Sequence, residues 1–268
     1  MDTSYLGRND APFGDAVWNL LDGVVVEAAK SVLSARRILD IEGPYGLGLK
    51  QVPLEDKQIN ESDVAISASK SLPVSLISTG FNLSARDIAS YTESGFAMDL
   101  SGVAKAAQAI ASAEDSIIFE GSKTLGVEGL FSASGTQSVK LSNWETIGNA
   151  ASDIIAAITK LDEKGFHGPY TMALAPNLYN LLFRLYPQGG PSELEHISSV
   201  IGSKIIKAPS IKSGGVVLAS GKQYASIVIG QDIATGFVGP VGSGYEFKIS
   251  ESIAPRIKAA ASVCILKG

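Results

Sequence analysis

The amino-acid sequence predicts an α+β fold in which helical and sheet portions are largely segregated along the chain. Long segments with apolar residues at helical spacing dominate the region before Gly168, and short strand-like runs with short helices among them follow it. With 268 residues, of which 45% are hydrophobic and 18% charged, the chain is long enough for one large domain or two modest ones. This composition excludes an intrinsically disordered chain.

Charge and residue content exclude several classes of site and partner. The net charge of −5 gives the chain as a whole no attraction for nucleic acid. A single cysteine, Cys264, cannot form an intrachain disulfide, and two histidines, His167 and His196, are too few for a histidine-rich metal site. No apolar stretch is long enough for a membrane span, and the polar N-terminus lacks a signal peptide, which predicts a cytoplasmic protein without a membrane partner. The low charge content indicates oligomer interfaces or, alternatively, a large monomeric core.

Helices are predicted where apolar residues recur three and four positions apart. Capping-box patterns at Ser84 with Asp87, and at Ser142 with Glu145, mark two of the starts. The predicted helices are Asp15–Arg37, a short helix beginning at Ser84, Leu100–Phe119, Asn143–Lys164, Asn177–Leu185 and Ser192–Val200.

Strands are predicted in short runs of β-branched and aromatic residues. These runs are Leu72–Ile77, Tyr170–Ala175, Lys204–Lys207, Val216–Ser220, Ala225–Ile229, Tyr245–Glu251 and Ser262–Leu266. The polar segment Ile41–Ser69, punctuated by glycine and proline, is too long for an ordinary connection. It is either a disordered loop or an extended arm that another subunit orders.

Motifs that would indicate catalysis are incomplete. The glycine-rich run Gly43–Gly48 follows a helix instead of a strand, which favours a structural turn over a phosphate-binding loop. Gly121–Thr124 lacks the upstream glycine of a P-loop, and no nucleophile elbow is present. We interpret His167 as a turn residue and His196 as exposed on a polar helix or lining a pore. Cys264, among strand formers, is expected in the core.

Several sequence blocks together resemble the encapsulins, shell proteins with the HK97-type major capsid protein fold of tailed phages. These blocks are Arg36–Gly46, Lys70–Pro73, Ala113–Gly121, Gly126–Leu130, Gly168–Tyr170, Lys204–Ile206 and Gly230–Ile233. The resemblance covers nearly the whole chain. It implies an N-terminal arm and helix (1–40), an extended loop (41–71), a peripheral domain (72–142 and 223–268) and an axial domain (143–222).

The function implied by this resemblance is structural. Encapsulin subunits assemble into an icosahedral nanocompartment that encloses a cargo enzyme bound through a C-terminal targeting peptide. A shell of about 60 subunits is favoured, and shells of about 180 or 240 subunits are the alternatives. A ferritin-like iron-storage protein is the first expectation for the cargo, and a dye-decolorising peroxidase the second. No catalytic residue and no metal site are expected in the shell chain itself.

The resemblance also implies two sites. Cargo peptide would bind in a groove between the N-terminal helix and the peripheral sheet, where apolar pockets accept alternate side chains. The implied groove residues are Ala29, Leu33, Arg36, Asp40, Ile41, Ile229, Ile233 and Phe237. The same residues could alternatively pack the helix onto the sheet. A five-fold pore would be lined by Tyr186, Pro187, Gln188, Gly189, Gly190 and Pro191, or these could form a neutral surface loop. Glu193 and Glu195 could attract cations if they faced the pore.

One departure and two competing functions complete the sequence-based expectations. Some encapsulins stack a flavin on a tryptophan in the segment that matches Leu83–Tyr91, which holds no tryptophan here, so no flavin is expected. A phage-derived major capsid protein that packages DNA is the main alternative, but it would have a more basic inner surface. A protease or another enzyme is the second alternative, and no nucleophile–base motif supports it.

Overall fold

The computed structural model describes residues 3–61, 64–187 and 189–268. Its helices are α1 (Asp15–Val32), α2 (Ala85–Ser94), α3 (Ser101–Phe119), α4 (Asn149–Asp162), α5 (Pro176–Leu181) and α6 (Glu193–Ile201). Its strands are β1 (Asp40–Glu42), β2 (Gln51–Pro53), β3 (Lys57–Glu61), β4 (Val64–Ala68), β5 (Ser71–Pro73), β6 (Ser75–Ser84), β7 (Gly121–Ser122), β8 (Val127–Glu128), β9 (Gln137–Lys140), β10 (Tyr170–Leu174), β11 (Ile205–Lys207), β12 (Gly215–Ala219), β13 (Ala225–Ile229), β14 (Ala234–Val241), β15 (Gly244–Ile257) and β16 (Val263–Lys267).

The first sheet is built around the long strand β15. Its first half pairs antiparallel with β6 on one side and β14 on the other, and its second half pairs with β13. Strand β1 runs parallel to β13. Helices α1 and α3 pack against each other and over one face of the sheet, with Trp18, Phe81 and Phe247 between them. The rings of Phe81 and Phe247 stack with centroids 5.0 Å apart.

The second sheet has the strand order β11, β10, β12, β16, β9. Helices α4 and α6 cover it, and its core holds Trp144, Leu161 and Met172, which are all buried. Two strands of this sheet come from outside the range 143–222 predicted for the axial domain. Strand β9 precedes that range in the sequence, and β16 follows it. Strand β16 belongs to the second sheet because it pairs with β12 and β9. The assignment to peripheral and axial domains stays a prediction. The positions of β9 and β16 show that the second sheet extends beyond the predicted axial range.

Helix α1 ends at Val32, five residues before the predicted end. Leu33 leaves the helical conformation, with φ −52° and ψ 120°. The carboxylate of Asp115 on α3 then accepts the backbone N–H groups of Ser34 and Ala35, at 2.9 and 3.0 Å. A 3-10 turn over Ala35–Arg37 follows. A long-range side chain therefore takes the donors that a continuing helix would have used internally.

The prediction for the start of α4 is wrong. The helix begins at Asn149, after the N-cap Gly148 with φ +93°, and not at Asn143. Ser142 does not cap a helix, because its backbone N–H and its hydroxyl both donate to Asp153, each at 2.8 Å. The Ser84 cap of α2 and the long helix α3 agree with the prediction, and α6 starts with a complete capping box formed by Ser192 and Glu195.

The segment Ile41–Ser69 is more regular than its composition predicts. It contains part of β1, then β2, which pairs with β5, and then the β3–β4 hairpin. Among the described strands, β3 and β4 pair only with each other. Val64 and Ile66 on β4 are exposed, at 61% and 46%. The segment thus contains regular strands, and its ordering by another subunit stays a prediction.

The predicted strands beyond Gly168 are all present, with ends that shift by at most one residue, except that β15 is longer at its C-terminal end by six residues. Strand β14, with the sequence ATGFVGPV, escaped prediction because its glycines and proline are typical of turns. No helix among the described residues is both long and apolar enough to cross a membrane.

Candidate functional site

The groove predicted for a cargo peptide begins at the C-terminal end of α1. Ala29 and Leu33 pack against Ala111 of α3, and the half-buried Ile233 lies against this cluster. Ala29 and Leu33 are almost fully buried, so their side chains mainly join α1 to α3. Of these groove residues, Ile233 is the one with substantial accessible surface.

The other predicted apolar residues of the groove occupy different positions. Ile229 is buried in the core beneath the first sheet. Phe237 is half-buried, with its ring 6.0 Å from that of Phe13 and 5.8 Å from that of Tyr245. Ile41 is 46% exposed on β1, opposite Ile227 of β13. The structure therefore brings Ala29, Leu33 and Ile233 together, and Ile233 also packs with Phe237 against the core between α1, α3 and the first sheet. Ile229 and Ile41 lie outside both clusters.

Arg36, predicted to bind polar groups of the peptide, is engaged inside the protein. Its Nε and Nη2 donate to the two oxygens of Glu114 at 2.7 and 2.9 Å, and its Nη1 donates to Asp232 at 2.9 Å. Nη2 also pairs with Glu251. Burial opposes the guanidinium charge, but the hydrogen bond to Glu114 and the charges of these carboxylates outweigh it and raise the pKa of Arg36. Asp40, the other predicted polar residue, is exposed at the start of β1.

Two buried carboxyl groups of α3, one paired with Arg36 and one bonded to the turn that contains it, were not assigned in the sequence interpretation. Glu114 and Asp115 stand within the apolar stripe of α3, between Ile110 and Ile118, and both are completely buried. Burial raises the pKa of Asp115, although its hydrogen bonds with Ser34 and Ala35 oppose that rise. Two carboxylates on the buried face of a helix are a signal that could have indicated an internal arginine partner.

The predicted pore segment is a loop whose two ends are joined. Leu185 and Ser192 form an isolated antiparallel bridge at its base. The hydroxyl of Tyr186 lies 2.7 Å from Nδ1 of His196. Gln188 lies outside the described residues, and the remaining predicted residues follow in the loop: Pro187, Gly189, Gly190 and Pro191.

The suggested role in attracting cations disagrees with the position of Glu193 and stays a prediction for Glu195. Glu193 is completely buried and accepts hydrogen bonds from Arg184 at 2.9 Å and from the backbone N–H of Gly148 at 2.8 Å. Glu195 accepts the backbone N–H of Ser192 at 2.8 Å in the capping box. The buried Glu193 therefore cannot line an opening, whereas the exposed Glu195 uses one oxygen for the cap of α6.

The remaining candidate residues have structural surroundings. In the glycine-rich run, the N–H groups of Tyr45 and Gly46 donate to carbonyls of Ile229 and Gly230, so they are not free to bind a phosphate. His167 is exposed beside Asp162, and Cys264 is buried. Among the residues described, no cluster of three or more His, Cys, Asp or Glu side chains could hold a metal ion.

Comparison with known proteins agrees with this architecture. Residues 1–254 match the profile of the family described as "Encapsulating protein for peroxidase". The type 1 encapsulin shell protein EncA of Myxococcus xanthus is 31% identical over 277 aligned positions, which cover 98% of this chain and 96% of that protein. A diheme-cytochrome–encapsulin shell fusion protein of Kuenenia stuttgartiensis is 29% identical, over 93% of this chain and 72% of the fusion. A ferritin-like–encapsulin shell fusion protein of Pyrococcus furiosus is 24% identical, over 92% and 66%.

Solved structures give the same fold. The virus-like particle of Pyrococcus furiosus superposes with a TM-score of 0.75 at 22% identity, covering 92% of this chain and 98% of that one. The capsid of the myovirus XM1 superposes with a TM-score of 0.59 at 11% identity, covering 86% and 89%. The expected HK97-type fold is therefore confirmed. Because the family profile spans most of the sequence and the M. xanthus relative aligns over nearly the full length of both chains, the chain belongs to the encapsulin family of shell proteins.

Proposed function

We propose that the chain is the subunit of a closed icosahedral compartment in the cytoplasm that encloses a cargo enzyme. Membership of the encapsulin family carries this proposal. It makes the chain a structural shell protein and not an enzyme, as the names of its relatives state. The exposed apolar side chains of the β3–β4 hairpin support assembly, because an isolated two-stranded hairpin is at best marginally stable in water. Contact with another subunit would cover Val64 and Ile66.

The cargo is proposed to bind through a C-terminal peptide at the surface beside Ile233. A short extended peptide needs an apolar contact with polar groups close by. Ile233 supplies partly accessible apolar surface, and its neighbour Asp232 is 54% exposed while it pairs with Arg36. Arg36 would then act by holding Asp232 in place, and Asp40 and Ile41 would offer an exposed strand end.

The identity of the cargo rests on the relatives. One relative is fused to a ferritin-like domain and another to a diheme cytochrome, and the family description names a peroxidase. A ferritin-like iron-storage protein is our first proposal and a dye-decolorising peroxidase the second. We propose no flavin and no metal for the shell, since the segment that matches the flavin site of other encapsulins has no tryptophan.

Size-exclusion chromatography followed by negative-stain microscopy of the protein expressed alone tests assembly. Uniform hollow particles are expected, and their diameter decides between about 60 subunits, which we favour, and about 180 or 240. A monomer or dimer would contradict the proposal. The similarity to phage capsids makes DNA packaging the second candidate. Particles that contain nuclease-protected DNA would favour that function, and DNA-free particles that co-purify with an enzyme would favour ours.

A further inference from the structure

One arginine holds the connection between α1 and β1 onto the first sheet. Arg36, in the 3-10 turn, meets Glu114 from α3, Asp232 from the β13–β14 connection and Glu251 from β15. The carboxyl groups of Glu114 and Glu251 are completely buried. Asp115 follows Glu114 on α3, and its negative charge contributes to the raised pKa of Glu114. If every carboxyl were ionised, one positive charge would stand among four negative ones.

Three of the four carboxyl groups have donors or water that stabilise a negative charge, although burial raises the pKa of both Glu114 and Asp115. Asp115 accepts three hydrogen bonds from Ser34 and Ala35. Both oxygens of Glu114 accept N–H groups of Arg36. Asp232 is 54% exposed, so water screens its charge.

Glu251 differs from these three. Its Oε1 pairs with Arg36, but its buried Oε2 has no hydrogen-bond partner among the residues that the structure describes. A buried ionised oxygen without a donor is strongly unfavourable. Burial and the charge of Glu114 accordingly raise the pKa of Glu251 from the ordinary 4.5 to about 9. Both oxygens of Glu114 are paired with Arg36 and only one oxygen of Glu251 is, so the geometry favours the proton on Glu251.

We propose that Glu251 keeps its proton at neutral pH and that this proton acts as a latch: it avoids a second buried negative charge and so keeps the turn Ala35–Arg37 bound to the first sheet. Loss of the proton places a second buried negative charge beside Glu114, and Arg36 cannot neutralise both. The connection then opens locally so that water reaches the carboxylates. Since Asp232 precedes Ile233, opening would also disturb the proposed cargo surface. That last consequence rests on the proposed function, whereas the latch itself does not.

Infrared spectroscopy of assembled, cargo-free shells tests the protonation directly. We expect the carbonyl band of a protonated carboxyl group at pH 7, its loss as the pH passes about 9, and its absence in Glu251→Gln. Glu246→Gln is the matched control, because Glu246 is exposed on the same strand, and it should leave the band unchanged. Glu114→Gln removes the neighbouring charge and should move the loss of the band to a lower pH. A wild-type protein without the band at pH 7 would overturn the proposal, even if no variant folded.

Hydrogen exchange tests the mechanical consequence. The amides of Ser34 and Ala35, which donate to Asp115, report opening of the connection. After correction for intrinsic exchange, one linked proton should raise their opening constant about tenfold per pH unit between pH 6 and the pKa of Glu251. In Glu251→Gln the opening constant should change far less. An equal pH dependence in wild type and variant would show that no latch exists.

Discussion

Arg184 and Glu193 form an ion pair across the base of the loop predicted to line the five-fold pore, with Nη2 2.9 Å from Oε2. Arg184 precedes the loop and the completely buried Glu193 follows it. Arg184 also donates to the backbone carbonyls of Leu181, Trp144 and Glu145. The pair therefore anchors both ends of the loop to the part of the chain that packs on the second sheet.

Arg184→Met is expected to destabilise the subunit, because it leaves the Glu193 carboxylate buried without its charged partner. Removal of one partner of a buried pair costs about 3 kcal/mol, equivalent to a fall of roughly 5–10 °C in Tm for a chain of this size. Thermal unfolding at a fixed scan rate measures this. Asp22→Asn is the control, because its pair with Arg8 is partly exposed and its loss should cost less than about 1 kcal/mol. Equal effects of the two substitutions would contradict the anchoring role.

Gly23→Ala is expected to stabilise the protein. Gly23 lies in the middle of α1, and a Cβ added there would meet no atom within 4 Å. Alanine should therefore gain about 0.5–1 kcal/mol through its helix propensity alone. A rise in Tm of a few degrees in unfolding experiments would agree. A loss of stability would mean that the position faces a neighbouring subunit in the shell.

Local signals were sufficient for most of the fold. Helix α3, the cap of α2 and the strands beyond Gly168 other than β14 follow from apolar periodicity and capping residues, which act over a few positions. The end of α1 could not be predicted in this way, because it depends on Asp115, some 80 positions away in the sequence. The prediction of the start of α4 failed for a similar reason, since Asp153 accepts hydrogen bonds from the backbone N–H and the hydroxyl of Ser142, the predicted cap.

In the candidate site, too, local sequence signals did not reveal the long-range contacts. The resemblance pointed to Arg36, but the sequence alone did not indicate that Glu251, 215 positions away, would be its partner. The buried pair of Glu193 and Arg184 was also missed, because a glutamate near a loop is usually solvated. Long-range ion pairs of this kind depend on tertiary packing and have no periodic signature.

Ile66→Asp is expected to prevent shell formation. Ile66 is 46% exposed on the β3–β4 hairpin, where we propose that another subunit covers it. A charge buried in that contact without a partner would oppose association. Size-exclusion chromatography should then show subunits or small oligomers in place of shells. Ser67→Asp is the control, because successive strand residues point to opposite faces. Normal shells from Ile66→Asp would mean that the hairpin is not an assembly contact.

Ile233→Asp is expected to abolish cargo capture without preventing assembly. Ile233 is half-buried, so its substitution disturbs packing less than a change at the buried Leu33 would. A carboxylate there would place an unpaired charge against the apolar part of the peptide. Co-expression with the cargo and comparison of its stoichiometry in purified shells measures this. Val26→Asp, at a site 47% exposed on α1, is the control. Cargo at normal stoichiometry in Ile233→Asp would place the binding surface elsewhere.

Glu251→Gln is expected to change how stability depends on pH. Because the pKa of Glu251 is about 9 in the folded chain against an ordinary 4.5, the native state binds a proton that the unfolded chain has released between these values. Wild-type stability should therefore fall relative to the variant as pH rises from 5 to 9, by up to about 1.4 kcal/mol per pH unit, and the difference should stay constant above pH 9.

Thermal unfolding of both proteins from pH 5 to pH 10 measures this difference, with Glu246→Gln as a variant that should follow the wild type. Glutamine can still accept the Nη2–H of Arg36, so the variant keeps that hydrogen bond and leaves the charged pair of Arg36 with Glu114 intact. Its curve should therefore lie closest to that of the wild type at pH 5 and above it at pH 9. If wild type and variant lost stability in parallel over this range, Glu251 would be ionised in the native shell and its proton would play no part in holding α1 to the first sheet.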